Sequence, residues 1–245
     1  MFTVMYHSLL IGAALFVPIP FLDERLATFL WKRMVSDLAK QHKKTLSEEQ
    51  LLALSYGSRF TLSEGCLFLV RRLLKELLQE IIFILEWRKA IHLATDAYYS
   101  GYLLNELFAY EGFDPAKSGQ YAIALQKAKQ GTNMKLVQGV FKGTFRSGKG
   151  VLASIARWLS SITVGYMKDS WARRKSKRKA GSVSEEQLEN FFEMHRSRFQ
   201  TLLHDLILQL QSGIGSLPGE HFDRLRERLF NEIQTMDSTG AATTI

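Results

Sequence analysis

A near-match to a phosphate-binding loop is the first pattern in this chain that could do chemistry. Residues 143–150 read GTFRSGKG and fit the pattern G-x-x-x-x-G-K-[S/T] except at the last position, Gly150. In a phosphate loop, glycine amides cradle phosphates after a buried strand, and the Ser or Thr hydroxyl holds magnesium. The preceding residues, MKLVQGVFK, do not alternate like a strand, and no βα pattern surrounds them. A phosphate-loop NTPase is therefore a remote alternative.

Two pairs of side chains at helical spacing could each supply two metal ligands. They are His92 with Asp96 and Glu189 with Glu193. Two ligands do not complete a metal site, and no H-E-x-x-H motif accompanies them. The single cysteine, Cys66, lies in an apolar run, which is typical of a buried side chain and not of a reactive thiol. We predict a non-enzymatic protein with no catalytic residue, no metal and no cofactor.

The stretch GTFRSGKG belongs to a longer helical pattern over residues 135–162. At 100° per residue, the apolar, basic and small residues fall on three separate stripes. The basic stripe contains Lys135, Lys142, Arg146, Lys149 and Arg157. The small stripe contains Gly139, Gly143, Ser147 and Gly150. These three stripes favour one amphipathic helix over a loop.

The small and basic stripes each indicate a surface for binding. A glycine inside a helix costs about 1 kcal/mol relative to alanine, so we interpret the small stripe as a surface for close packing of another helix. A basic face beside an apolar one, with Trp158 and Trp171 for the interfacial zone, is typical of a helix lying on an anionic bilayer. The alternative is a bundle helix whose basic face is solvated.

Positive charge is concentrated in the middle of the chain. Residues 116–180 carry fifteen Lys and Arg but a single acid, Asp169, in a chain whose formal net charge is +8. The densest part adds seven basic residues, namely Lys168, Arg173, Arg174, Lys175, Lys177, Arg178 and Lys179. Such a segment attracts nucleic acid or an anionic membrane. Because it follows an apolar helix, we favour the membrane, where each base near the surface contributes about 1 kcal/mol.

The first 22 residues contain no charged side chain and could form a hydrophobic anchor. The candidate anchor residues are Leu9, Leu10, Ile11, Leu15, Phe16, Pro18 and Pro20. The two prolines would end a helix near Phe16, which leaves a length that is marginal for crossing a bilayer. A membrane anchor and a buried hairpin arm are both consistent with this pattern, and we favour the anchor.

The remaining pattern is helical throughout. Residues 22–40, 63–109, 184–212 and 220–236 place apolar side chains at helical spacing, and the letters SEEQL at Ser47 and again at Ser184 form capping boxes. We predict an all-α, multi-helix bundle with long amphipathic helices, a hydrophobic N-terminal arm and a basic central helix. The predicted segments are 1–112 (arm and bundle), 116–180 (basic helical segment), 183–236 (C-terminal hairpin) and 237–245 (disordered tail).

Residues 13–42, which include ALFVPIPFLDERLATFLWKRMVSDLAKQH, resemble segments of bacterial EcsC-like and GTPase-associated helical membrane proteins. Those proteins also place a proline-containing apolar stretch and an acid, here Asp23, before a helix with a basic pair, here Lys32 and Arg33. The resemblance implies membrane association and a mainly non-enzymatic role.

These observations predict a membrane-associated protein on a cytoplasmic face, which binds an anionic lipid surface or a partner helix, including a second copy of itself. The alternative is a soluble cytoplasmic module that binds nucleic acid or an acidic protein through residues 116–180. No small-molecule substrate is predicted from the residues.

Overall fold

The computed structural model describes residues 1–16, 22–56, 79–155, 157–158 and 184–241, and every regular element in these ranges is a helix. The helices are α1 (Phe2–Ala14), α2 (Leu22–Gln41), α3 (Glu48–Tyr56), α4 (Gln79–Ala109), α5 (Ser118–Gln130), α6 (Lys135–Ser147), α7 (residues 149–155), α8 (Glu185–Gly215) and α9 (Gly219–Ala241), with a 3-10 turn at Pro115–Lys117. The predicted all-α bundle is confirmed.

Helix α1 lies in the centre of the bundle. All of its residues from position 4 to position 14 are buried, and it packs against α2, α4 and α8. A helix without charged side chains can be surrounded by protein on every side. At Gly12, an added Cβ would lie 2.7 Å from Phe145 Cζ and 2.9 Å from Ala94 Cβ. The absence of a side chain there lets α4 approach α1 closely.

Two capping boxes start helices as the sequence predicts. At α3, the Gln50 amide donates to Ser47 Oγ at 3.3 Å, and the Ser47 amide donates to Gln50 Oε1 at 2.8 Å. At α8, the same two bonds join Ser184 and Gln187 at 3.2 and 2.9 Å. Each box satisfies amides that have no partner inside the helix. The two SEEQL stretches are therefore two helix starts.

The predicted break after α4 is also present. Helix α4 ends at Ala109, and Asp114 has an extended backbone (φ −112°, ψ 113°) before Pro115. Proline disfavours the helical conformation in the residue before it, which explains this geometry. The Asp114 side chain accepts from the Ala116 amide at 2.9 Å and starts the 3-10 turn. The chain then reverses into α5, which packs against α3, α4 and α9.

The basic central segment forms two helices instead of one. Helix α6 ends at Ser147, a turn follows at Gly148, and α7 continues from position 149. An added Cβ at Gly148 would meet Leu206 Cδ2 at 2.6 Å, so α8 crosses at this point. The predicted apolar face is confirmed on both sides of the turn, because Val137, Phe141 and Leu152 are buried.

One hydrophobic cluster joins the helices. Its buried side chains extend along the chain from Val4 to Ile233. They come from all three of the predicted segments 1–112, 116–180 and 183–236. Helix α9 continues to Ala241, beyond its predicted end at Met236. Among the helices that the structure describes, none combines the length and the apolar character needed to cross a bilayer.

Candidate functional site: a basic groove between α4 and α6

A groove with a volume of about 910 Å³ opens between α4 and α6. Its lining includes Trp87, Arg88, Lys89, Ile91 and His92 of α4, Lys135, Gln138, Gly139 and Lys142 of α6, and Lys149 of α7. Five of these side chains carry a formal positive charge, and none of the described lining side chains is acidic. The groove is therefore a local concentration of positive charge.

Helical periodicity places the basic side chains on the two walls. Lys135 and Lys142 are seven residues apart, which is close to two turns, so they share one face of α6. Arg88 and His92 are one turn apart on α4 and share a face in the same way. The opposite faces of both helices are held in the core. The fold thus fixes two basic walls against each other.

The groove also has an apolar part. The indole of Trp87 packs on the ring of Phe16 at 5.3 Å and edge-on to Phe145 at 5.9 Å. Lys149 Nζ lies 5.4 Å from the centre of the Trp87 ring, which is a cation–π distance. Ile91 is 5% exposed. A bound molecule would meet charge at the walls and apolar surface beside Trp87.

Three of the groove cations, Arg88, Lys135 and Lys142, have no acidic partner among the described residues. Within the described part of the chain, no carboxylate lies within ion-pair distance of Arg88, Lys135 or Lys142. Other cations of the fold do have acidic partners: buried Lys129 donates to Asp96 Oδ1 at 2.8 Å, for example. Like charges on facing walls repel, so this arrangement favours an incoming anion.

Glycine keeps the groove accessible. Gly139 lines it, and an added Cβ there would meet nothing within 4 Å. The space above α6 at this position is open to a ligand.

The predicted basic residues divide into three groups. Lys135, Lys142 and Lys149 line the groove. Arg146 and Arg157 are exposed outside its lining, and Arg157 Nε donates to Ala153 O of α7 at 3.3 Å. The residues Lys168, Arg173, Arg174, Lys175, Lys177, Arg178 and Lys179, together with Trp171 and Cys66, lie outside the described residues.

Trp158 packs against α8. Its ring lies 5.7 Å from that of Phe199 and 5.1 Å from that of His195, and the Arg198 guanidinium sits 3.5 Å from its centre. Its predicted interfacial role stays a prediction.

The small stripe is not where the described helices pack closely. Gly139, Gly143 and Gly150 face open space, and Ser147 Oγ donates to Gln209 Oε1 on α8 at 2.7 Å. Close packing occurs instead at Gly148, which lies outside the predicted stripe. Packing of a partner helix on the three open glycines stays a prediction.

The candidate anchor is inside the protein. Leu9, Leu10 and Ile11 are 0% exposed, and Leu15 and Phe16 are half-buried against the core. Pro18 and Pro20 lie outside the described residues. This is the placement expected from the buried-arm alternative, and it leaves the apolar face of α1 in contact with protein.

The other candidate sites are engaged in the fold. GTFRSGKG lies on α6, the turn at Gly148 and the start of α7, and the residues directly before it, 135–142, belong to α6 and not to a strand. Asp96 accepts from Lys129, while Glu189 and Glu193 both pair with Arg33. In the described ranges, no three metal-binding side chains of the His, Cys, Asp or Glu type come together.

A buried histidine forms a separate polar cluster in the core. His7 of α1 is 0% exposed, and its Nε2 lies 3.1 Å from Asp37 Oδ2 of α2. Burial lowers the pKa of His7, while the hydrogen bond to Asp37 acts in the opposite direction. The cluster orients α1 against α2 and does not open onto the groove lining.

Sequence reasoning missed the α4 wall. Arg88 and Lys89 are adjacent bases within a mostly apolar pattern, and His92 follows one turn later. These bases are visible in the sequence, but the position of α4 opposite α6 depends on the tertiary fold.

Comparison with protein-family models, curated proteins and solved structures gives no significant match. The fold and site define an all-α bundle with a basic groove. The resemblance of residues 13–42 to EcsC-like proteins stays a prediction.

Proposed function

We propose that this protein is a non-enzymatic, membrane-associated bundle that binds an anionic lipid surface through its basic groove and the exposed face of α6. The observation that carries the proposal is the pair of facing basic walls whose Arg88, Lys135 and Lys142 have no described acidic partner. Cations near an anionic leaflet are attracted to it by about 1 kcal/mol each. The groove places several such cations close together.

The surroundings of the groove support the same function. Arg146 of α6 is exposed and extends the basic surface beyond the lining. Leu136, beside Lys135, is 41% exposed and could contact the acyl boundary. Because α1 is buried in the bundle, we propose a peripheral association driven mainly by charge.

Vesicle co-sedimentation tests the proposal. We expect the protein to sediment with phosphatidylcholine vesicles that contain phosphatidylserine and not with phosphatidylcholine alone. Lys142→Glu should weaken the partition by roughly tenfold or more, because the reversal replaces an attraction with a repulsion.

Lys40→Glu is the matched control, since Lys40 is also an exposed helical lysine and lies on α2, away from the groove lining. It should leave most of the binding intact. Equal loss in both variants would show that only net charge matters. Binding to a DNA duplex without binding to vesicles would favour the nucleic-acid alternative.

A further inference from the structure

The groove has the size of a small-molecule site. Its volume of about 910 Å³ lies within the range of about 300–1,000 Å³ that is usual for ligand pockets. A planar lipid surface needs only an exposed basic face, as at Arg146. A groove of this size also suits a discrete ligand.

The charges point to phosphate groups. An anion inside the groove would meet Arg88 on one wall and Lys135 and Lys142 on the other. A single carboxylate offers one negative charge, whereas a phosphate monoester carries nearly two and presents three acceptor oxygens. Lys ammonium and Arg guanidinium groups donate to such oxygens in strong, charge-assisted hydrogen bonds.

We propose that the groove binds one molecule carrying several phosphate groups, either free in solution or as the headgroup of a lipid. The proposal rests on the proposed function, in that the same basic groove is the anion-binding site. Phosphates would contact the basic walls, and the carbon framework between them would lie against Trp87 and Ile91. The open space at Gly139 admits the ligand.

A matched pair of glycine variants tests the site directly. Gly139 and Gly143 are both exposed helical glycines of α6, and an added Cβ meets nothing within 4 Å at either position. Only Gly139 lines the groove. Gly139→Leu should fill the groove, whereas Gly143→Leu should leave it open. Because leucine has a higher helix propensity than glycine, neither change should prevent folding, and thermal unfolding checks this.

Isothermal titration with inorganic tripolyphosphate tests the free ligand. We expect saturable binding to the full chain with one site per protein molecule. Gly139→Leu and Lys142→Gln should each weaken it by about tenfold or more through lost access and a lost charge-assisted bond, and Gly143→Leu should not. Binding that does not saturate at one site, or that both leucine variants retain equally, would overturn the inference.

Vesicles distinguish a lipid source from a free one. Phosphatidylcholine vesicles containing phosphatidylinositol bisphosphate are compared with phosphatidylserine vesicles of equal total charge. A lipid headgroup is indicated if the protein prefers the phosphatidylinositol bisphosphate vesicles, if tripolyphosphate competes with this binding, and if Gly139→Leu abolishes the preference.

One-site tripolyphosphate binding without vesicle binding would support a free ligand and refute the membrane proposal. Equal binding to both vesicles with no one-site tripolyphosphate binding would refute the groove ligand and leave the membrane proposal standing.

Discussion

Glycines of this chain occupy two kinds of environment. At Gly12 and Gly148, an added Cβ would come within 3 Å of a neighbouring side chain, whereas Gly139 and Gly143 face open space. A helical glycine costs about 1 kcal/mol relative to alanine. At the first pair, close approach of two helices offsets this cost. At Gly139 and Gly143, no contact with a described residue offsets it.

Alanine substitution should separate the two environments. We expect Gly143→Ala to raise the free energy of unfolding by about 0.5–1 kcal/mol, because alanine favours the helix and nothing obstructs it. Gly12→Ala should lower it, because the new methyl would collide with Phe145 and Ala94. Urea unfolding of the two variants measures both effects. Destabilisation by Gly143→Ala would instead indicate that a partner helix packs on this glycine.

Buried His7 makes stability depend on pH. Burial lowers the pKa of His7 in the folded protein below the ordinary value of 6.5. The Asp37 carboxylate raises this pKa but does not cancel the effect of burial, and Arg33 and Arg196 lower it by smaller amounts. As the pH falls through 6.5, the unfolded chain takes up a proton that the folded protein does not. Stability is therefore present above this range and decreases as the pH falls through it.

The substitution His7→Gln keeps a polar side chain near Asp37, and this side chain does not titrate. Between about pH 7 and about pH 5.5, we expect its free energy of unfolding to fall less than that of the unmodified protein. His221→Gln is a useful comparison, because partial burial also lowers the pKa of His221. An unchanged pH dependence in His7→Gln would contradict the assignment of this effect to His7.

At the scale of elements, the crossing of α6 and α8 positions one wall of the groove. Leu206 fills the space over Gly148, and Val140 fills the space over Gly213, where an added Cβ would lie 2.5 Å from Val140 Cγ1. Ser147 and Gln209 add a hydrogen bond of 2.7 Å at the same crossing. This contact fixes where α6 ends and α7 begins.

A double-mutant cycle tests the crossing. Gly148→Ala should destabilise the fold by about 1–3 kcal/mol through overpacking, and Leu206→Ala by about 2–5 kcal/mol through the loss of a buried side chain. Because Leu206→Ala removes the atoms that the new methyl group at position 148 would meet, the double variant should lose less stability than the two single variants together. Chemical unfolding gives all four values. Simple additivity would show that the two positions do not contact each other.

Local signals in the sequence predict much of the element structure. The capping boxes at Ser47 and Ser184 and the extended residue before Pro115 depend on nearby residues alone, and all three are present. The turn at Gly148 was not predicted, because it depends on Leu206 of a distant helix. The α4 wall was missed for the same reason. The three-stripe pattern placed Lys135, Lys142 and Lys149 together, and they do line one groove.

The location of α1 shows a further limit of sequence reasoning. An apolar stretch without charge suits both a bilayer and a protein core, since either environment excludes water. Whether α2, α4 and α8 surround such a helix depends on their own apolar faces and on how they pack. That information is spread over the whole chain.

At the scale of the whole molecule, charged side chains of the bundle form two groups. A seam of ion pairs joins α2 to α8, where Arg33 pairs with Glu189 at 3.0 Å and with Glu193. Arg88, Lys135 and Lys142 of the groove, by contrast, form no ion pair with a described carboxylate. The first set stabilises the fold, and we propose that the second set binds anions at a membrane surface while α1 stays in the core.

Release from anionic vesicles by salt is the most direct test of this account. The protein is bound to phosphatidylserine vesicles at low ionic strength, and the sedimented fraction is then measured after a wash in about 1 M salt, where the Debye length is about 3 Å. We expect the wash to release most of the protein, because the proposed contact is electrostatic and peripheral. Retention through the wash would contradict the account and indicate that an apolar segment such as α1 enters the bilayer.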